Sequence, residues 1–293
     1  MAGQELKWDL GDIIARGQFD RELKEAETGI TRLTELTRTL SPDMGEAEFR
    51  KVIEFREGLM TRLSRLGAYG RLWERADHKS QDAGLYKSRA QDLELKYTDA
   101  SLPLDHWLKG LEVDGLKKLD DGNAQRLFAS LPDLEYIFTY SRSAARHTLT
   151  QGEEKIIARK AVTGKQALVD IYEQITGGFA YPFRPRGGRF RQLKTQGEAR
   201  SYFYSPKAAE REAAYRAVMA PYQENEDKLF IIYRALVKNW DNDARLRGFA
   251  SPIAMRNFSN RVPDQSIDTL LQACQKNTGL YQEFFRHKAA MMS

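Results

Sequence analysis

The densest cluster of chemically active side chains in this sequence is a basic segment at 184–200. Its cationic residues are Arg184, Arg186, Arg189, Arg191, Lys194 and Arg200, and its one acidic residue is Glu198. The whole chain of 293 residues has 46 basic and 41 acidic side chains and a formal net charge of +5. The segment carries all of that excess, because basic and acidic residues are equal in number in the rest of the chain.

Most of the cations in this segment are arginines, whose planar guanidinium forms paired hydrogen bonds with carboxylates and phosphates. The segment could therefore bind peptide carboxylates, phosphate or a nucleic acid, and Phe190 could stack on a base. The simplest alternative is a solvent-exposed turn that binds nothing. Five residues are the candidate substrate contacts, namely Arg184, Arg186, Arg189, Arg191 and Lys194.

Residues that commonly carry catalysis or metal binding are not arranged for it. The histidines are His78, His106, His147 and His287, at least 28 residues apart, so none forms the His-x-x-x-His pair of zinc-binding helices. The sequence has no Gly-x-Ser-x-Gly nucleophile elbow and no P-loop. We therefore assign no catalytic and no metal-ligating residue, and expect each histidine to be at the surface or hydrogen-bonded.

The single cysteine, Cys274, excludes a disulfide framework and a cysteine-based zinc site within this chain. It lies at helical spacing among Ile267, Leu270 and Leu271, which predicts a thiol in the core. A free thiol is typical of a reducing compartment. Residues 1–8 contain no apolar signal core, and the chain has no run of 18 apolar residues. These features predict a cytoplasmic protein with no membrane partner.

Helical periodicity covers most of the remaining sequence. Apolar residues recur every three or four positions over 23–40 and over 52–73, with a proline between the two stretches. This pattern predicts two antiparallel helices. A third helix is predicted over about 80–98, followed by short helices and turns over 100–133, where glycine and proline are frequent.

A longer helix is predicted over 150–176, because Thr150 and Glu153 form a capping-box pattern. The segment 177–205 then changes character, since it is rich in glycine and proline. Aromatic residues alternate along it as they do in strands, and they are Phe179, Tyr181, Phe183, Tyr202 and Tyr204. The sequence thus predicts a small antiparallel β element near 179–204 with the basic segment on its connecting loop.

The predicted fold class is mainly α: a multi-helix array of antiparallel hairpins with that one β element. Domains average about 150 residues, so the length allows about two of them. We expect an N-terminal helical lobe at 1–114 and a helical region with the β insertion at 115–293. The last helix is predicted over about 279–292.

Five stretches of the sequence, taken in order, carry a resemblance to a known family. They are 7–13 (KWDLGDI), 65–82 (beginning RLGAYGRLW), 147–154 (HTLTQGEE), 205–252 (ending ARLRGFASP) and 280–288 (LYQEFFRHK). Together they resemble the N-terminal half of oligoendopeptidase F and its thimet-oligopeptidase-like relatives, which are zinc metallopeptidases. The resemblance spans nearly the whole chain.

This resemblance implies two helical halves that enclose a narrow channel for short peptides, with this half as one wall and the lid. The catalytic signature of the family, His-Glu-x-x-His with a downstream Glu, binds zinc and activates a water. No His-Glu pair exists in this sequence, so no catalytic residue can be transferred to it. The resemblance therefore implies zinc in the complete enzyme but not in this chain, and no cleavage by this chain alone.

The partners implied are short peptides and a catalytic half, encoded in the same gene or as a separate chain. That half is expected to pack near the C-terminal helix, whose apolar face includes Leu280, Phe284, Met291 and Met292. The chain could be a fragment, a subunit of a two-chain enzyme or a non-catalytic relative. A stand-alone helical binding protein is the alternative function, and a nucleic-acid binder acting through 184–200 is the least favoured one.

Overall fold

The computed structural model describes residues 9–15, 17–77 and 79–292, and helices make up most of them. The helices are α1 (Phe19–Thr37), α2 (Glu46–Ala76), α3 (Gln81–Leu108), α4 (Asp121–Ala129), α5 (Pro132–Ser143), α6 (Gln151–Ala161), α7 (Ala167–Gly177), α8 (Gln196–Ser201), α9 (Ala208–Glu224), α10 (Glu226–Leu246), α11 (Pro252–Ser259), α12 (Asp264–Lys276) and α13 (Thr278–Met292). Two short strands, β1 (Tyr181–Phe183) and β2 (Arg191–Leu193), pair antiparallel. The predicted fold class is confirmed. No described helix is long and apolar enough to cross a membrane.

Contacts divide the chain into two compact units, and the division falls within α10. One unit ends at Ile232 and the other begins at Tyr233. In the first unit the buried apolar side chains form two clusters, one drawn mainly from α1 to α5 and one from the strands, α8 and α9. The domain boundary that the sequence predicts at residue 114 stays a prediction.

The first cluster forms where α1, α2 and α3 pack together. The buried side of α1 consists of Phe19, Leu23, Ala26, Ile30 and Leu33, at the spacing that the sequence predicts. The ring centroids of Phe19 and Tyr69 are 5.7 Å apart, and further along α1 the backbone at Gly29 faces Leu59. This order of contacts confirms that α1 and α2 are antiparallel. Full burial of each large apolar side chain among them stabilises the fold by about 1.5–3 kcal/mol.

The backbones of helices α2 and α3 come into close contact at Gly70. A Cβ atom at this position would lie 2.9 Å from Cα and 3.0 Å from the backbone nitrogen of Lys87. Only glycine therefore lets the two backbones meet here. At the other end of the same helix pair, the guanidinium of Arg56 lies 2.5 Å from the carboxylate of Asp105.

Two helix boundaries differ from those predicted. α3 continues ten residues beyond the predicted end at about 98 and contains Pro103. Burial of Trp107, whose Nε1 donates to the carbonyl of Lys117 at 2.9 Å, offsets the roughly 3 kcal/mol that an internal proline costs. The helix predicted over 150–176 is divided into α6 and α7 by a π-helical turn at Val162–Gln166, although its capping box at Thr150 is confirmed.

The second strand of the β element is not where the aromatic pattern placed it. β2 lies at Arg191–Leu193, whereas Tyr202–Tyr204 form a 3₁₀ turn after α8. The helix start explains the difference, because Thr195 caps α8 by accepting from the backbone N–H of Glu198 at 3.1 Å. The chain is therefore already helical before Tyr202, and the tyrosines cannot pair with β1.

In the second unit, helices α12 and α13 leave their apolar residues uncovered. Leu270 and Leu271 are 58% and 61% exposed, and the thiol of Cys274 is exposed as well. The prediction that Cys274 lies in the core is therefore wrong. Helical periodicity identified the apolar side of α12 correctly, but no described residue buries it.

The close approach at Gly70 predicts that adding a single methyl group at this position lowers the stability of the protein. Gly70→Ala should lower the free energy of unfolding by about 1–3 kcal/mol, because the new Cβ would collide with the backbone of α3. Gly58→Ala in the same helix is the control. No atom lies within 4 Å of the Cβ position there, so alanine should stabilise by about 0.5–1 kcal/mol through helix propensity. Urea unfolding measures both, and equal effects would contradict the packing described.

Candidate functional site at the basic hairpin

The basic segment begins in a hairpin formed by β1, β2 and the loop between them, and we call residues 181–193 the basic hairpin. The register pairs Tyr181 with Leu193 and Phe183 with Arg191. Gly187 has a φ of +74°, which side chains rarely allow, and the N–H of Gly188 donates to the carbonyl of Pro185 at 2.9 Å. The sequence thus turns tightly enough to bring both strands together.

The structure separates the five candidate contacts into different environments. Arg184, Arg186 and Arg189 lie in the loop, exposed, with no hydrogen-bond or ion-pair partner among the residues that the structure describes. Arg191 lies on β2, and Lys194 follows that strand. The prediction of a basic connecting loop therefore applies to the first three only.

Arg191 is occupied by contacts within the hairpin region. Its guanidinium carbon lies 4.9 Å from the ring centroid of Phe183 and 5.1 Å from that of Tyr202. The two rings stack with 4.5 Å between centroids, and Arg191 Nη1 donates to the Tyr202 hydroxyl at 2.9 Å. Such cation–π contacts fix the side chain against the hairpin, so Arg191 acts as a structural residue.

Beside the hairpin, α7, β1 and α9 bring three tyrosines around a cavity of about 440 Å³, which Lys194 also lines. Burial raises the pKa of Tyr172 and of Tyr181, and the neighbouring Tyr222 raises both further. The amide of Gln196 donates to the Tyr222 hydroxyl at 3.0 Å. The raised pKa values keep the hydroxyls of Tyr172 and Tyr181 protonated at neutral pH. This cavity, which we call the tyrosine cavity, therefore offers donors for carbonyl or carboxylate oxygens.

Ion pairs hold α7, which carries Tyr172, against α2 and α3. Arg75 lies 2.5 Å from Glu173, and Lys87 lies 3.0 Å from Asp170 and 2.8 Å from Glu74. Burial lowers the pKa of Lys87, but its two carboxylate partners raise it by more, so the pKa stays above the ordinary value.

Sequence reasoning missed the tyrosine cavity, because its residues come from elements that are far apart along the chain. No spacing rule joins Tyr172, Tyr181 and Tyr222. The one local signal was the aromatic alternation around Tyr181, which indicated a strand and not a cavity.

The histidines that the structure describes do not converge on a metal site. His106 in α3 is only 3% exposed, and its Nε2 has no hydrogen-bond partner among the described residues. The expectation of a surface or hydrogen-bonded histidine is therefore wrong at this position. His287 is exposed on α13, and His78 lies outside the described residues. Within 9–15, 17–77 and 79–292, no group of three or more His, Cys, Asp or Glu could hold a metal ion.

Residues 201–293 match the family model of Peptidase family M3. The fold is similar to that of oligoendopeptidase-F from Enterococcus faecium, with a TM-score of 0.72 and 19% identity over 91% of this chain and 51% of that one. A putative peptidase from Chlamydophila abortus aligns over 96% of this chain and 47% of that one, with a TM-score of 0.56 and 15% identity. No curated protein sequence matches.

These findings confirm the resemblance to oligoendopeptidase F and the M3 peptidases that the sequence motifs carry. The structural matches show the fold, and the family pattern makes residues 201–293 similar to the M3 peptidases. The chain spans about half the length of the two solved structures it matches.

The buried imidazole of His106 predicts a pH dependence of stability. Burial lowers its pKa below the ordinary 6.5, Lys109 lowers it further, and Glu154 and Asp105 offset only part of this. Below pH 6.5 the unfolded chain then binds more protons than the folded one, so stability is lost as the pH falls through this region. This loss of stability at low pH should be smaller in the His106→Gln variant.

Urea unfolding between pH 5 and pH 8, a range of roughly 1.5 units on either side of the ordinary value, measures this difference. His287→Gln, which removes an exposed histidine, is the matched control and should follow the unmodified protein. Parallel pH curves for the protein and His106→Gln would contradict the assignment of this acid sensitivity to His106.

Proposed function

We propose that this chain is the N-terminal, non-catalytic half of a zinc-dependent peptidase that hydrolyses short peptides. The observation that carries the proposal is an M3 family pattern and an oligoendopeptidase F fold in a chain without a His-Glu-x-x-His signature. In this account the chain forms one wall and the lid of a peptide channel. The cytoplasm is the proposed location, since the one cysteine is a free thiol.

The zinc ion that the family implies does not fit the residues of this chain. Tetrahedral zinc sites take three or four ligands from cysteine, histidine or carboxylate side chains. The described part of the chain holds no such group, and the isolated His106 is buried beside the cationic Lys109. We therefore assign zinc binding, and the activation of water by zinc, to the catalytic half.

The proposed docking surface for that half is the apolar side of α12 and α13. Its large exposed side chains are Leu270, Leu271, Leu280, Phe284, Phe285, Met291 and Met292, each more than half exposed. Large exposed apolar surfaces usually mark an interface, because covering them removes apolar area from water. The exposure of Leu280 and Phe284 agrees with the expectation drawn from the sequence.

The basic hairpin would steer acidic peptides, with the tyrosine cavity beside it. Arg184, Arg186 and Arg189 can form bidentate contacts with side-chain or C-terminal carboxylates. Lys194 lines the tyrosine cavity, so its ammonium could contact a peptide group that the tyrosine hydroxyls hold. Arg191 would contribute indirectly, by fixing the hairpin through its two aromatic neighbours.

The first prediction of this proposal is that the chain alone neither holds zinc nor cleaves peptides. Metal analysis of the purified chain should find far less than one zinc per molecule. A quenched-fluorescence peptide library should show no cleavage that a chelator abolishes. Stoichiometric zinc together with chelator-sensitive cleavage would contradict the proposal. Salt-sensitive binding of RNA or DNA would favour the nucleic-acid alternative instead.

The second prediction concerns the loop arginines. In the triple variant Arg184→Gln, Arg186→Gln and Arg189→Gln, affinity for an alternating Glu-Ala hexapeptide should fall about tenfold at low salt, as expected for three exposed ion pairs. Affinity for an alternating Gln-Ala hexapeptide should not change. Isothermal titration calorimetry measures both.

The control for this variant removes three exposed lysines elsewhere, Lys24→Gln, Lys51→Gln and Lys118→Gln, which changes the net charge equally. It should weaken binding less than about twofold, since distant charges are screened. An equal loss of peptide affinity in both triple variants would show that the effect depends only on net charge.

The Arg191→Ala variant should instead lower the free energy of unfolding by about 0.5–1 kcal/mol.

A further inference from the structure

A second cavity, of about 460 Å³, lies between α1, α3, the start of α6 and the loop at 113–116. We call it the α1–α3 cavity. Its apolar wall consists of Ile30, Ala100, Pro103, Val113 and Leu116. Three of these side chains are otherwise buried, at 8% exposure for Ile30, 9% for Ala100 and 8% for Val113. A cavity of this volume with an apolar wall is the usual form of a small-molecule site.

The charged residues around this cavity are only partly neutralised. Lys96 lies 2.7 Å from Glu27, and Asp99 accepts from Arg159 at 2.7 Å, so both are paired. Arg38, at the C-terminal end of α1, also lines the cavity.

The side chains of Arg38 and Lys155 have no hydrogen-bond or ion-pair partner among the residues that the structure describes, although both residues line the cavity. They leave two cations around a cavity with an apolar wall, and a carboxylate is a group that both a guanidinium and an ammonium bind through charged hydrogen bonds. Asp114 is the one unpaired acid among the described lining residues, so the excess charge is positive.

The backbone of α3 leaves one carbonyl without its regular helical donor near this cavity. Pro103 has no N–H, so the carbonyl of Asp99, four residues earlier in α3, lacks its regular helical donor. Asp99 and Pro103 both line the cavity. A ligand N–H could find an acceptor in the carboxylate of Asp114, which also lines the cavity.

We propose that the α1–α3 cavity binds an apolar carboxylic acid that carries an adjacent N–H, with Arg38 and Lys155 holding the carboxylate. An N-acyl apolar amino acid and the C-terminal residue of an apolar peptide share this chemistry. The apolar side chain lies on the wall formed by Ile30, Ala100 and Val113. The site is separate from the basic hairpin and requires neither zinc nor a catalytic half.

The experiment is a ligand-observed NMR titration of the purified chain. N-acetyl-L-leucine should bind saturably with a Kd of about 1 mM or tighter, as its size allows. N-acetyl-L-leucinamide, which lacks the charge, should bind at least about fivefold more weakly. The peptide acetyl-Ala-Ala-Leu distinguishes the two sources: tighter binding than N-acetyl-L-leucine identifies a peptide C-terminus, and equal or weaker binding identifies a small free acid.

Variants with matched controls locate the site. Arg38→Gln and Lys155→Gln should each weaken N-acetyl-L-leucine binding about five- to tenfold, because each removes one charged hydrogen bond. Arg32→Gln on α1 and Lys160→Gln on α6 remove cations that do not line the cavity, and should leave the Kd unchanged. Circular dichroism verifies that each variant is folded.

Two results would overturn the proposal. One is the absence of saturable binding by any of these acids below about 10 mM. The other is equal affinity for acid and amide, or an equal loss in the control variants, which would show that no specific carboxylate contact exists. Because binding is measured directly, a failure here is independent of the zinc and cleavage measurements that test the proposed function.

Discussion

The contact between Gly70 and Lys87 is the constraint on which the first unit of this protein depends. The missing side chain at Gly70 lets α2 and α3 touch, and this places Lys87 where only a small part of it reaches water. A buried ammonium is costly unless it is paired, and Glu74 of α2 and Asp170 of α7 supply the partners. Lys87 thereby ties α7, and with it one tyrosine of the tyrosine cavity, to the helices of the first core.

Local patterns in the sequence predicted those parts of the fold that local physics determines. The apolar spacing over α1 and α2 identified a helical hairpin, and Thr150 identified a helix start, because periodicity and capping act within a few residues. The third helix was predicted to end near 98, but it continues through Pro103, because packing around Trp107 offsets the cost of an internal proline. The strand expected at Tyr202–Tyr204 failed for a different, local reason, since the cap at Thr195 starts a helix first.

The candidate site also combines features that the sequence predicts with features that it does not. Charge counting found the basic hairpin and its arginines, because composition alone reveals an excess of cations. It could not show that Arg191 lies against the stacked rings of Phe183 and Tyr202, while the loop arginines have no partner among the described residues. The tyrosine cavity and the α1–α3 cavity were beyond prediction, since each joins helices separated by long stretches of chain. The apolar side of α12 was identified, but its exposure was not.

The functional account rests on a peptidase-like fold whose described residues contain no ligand set for zinc. Purification of the native protein from its source, followed by mass spectrometry, tests this account most directly. It predicts that a segment with a His-Glu-x-x-His sequence is present, either in the same polypeptide or in a stable complex with it. A native chain of 33.6 kDa that purifies alone, without such a segment, would contradict the account.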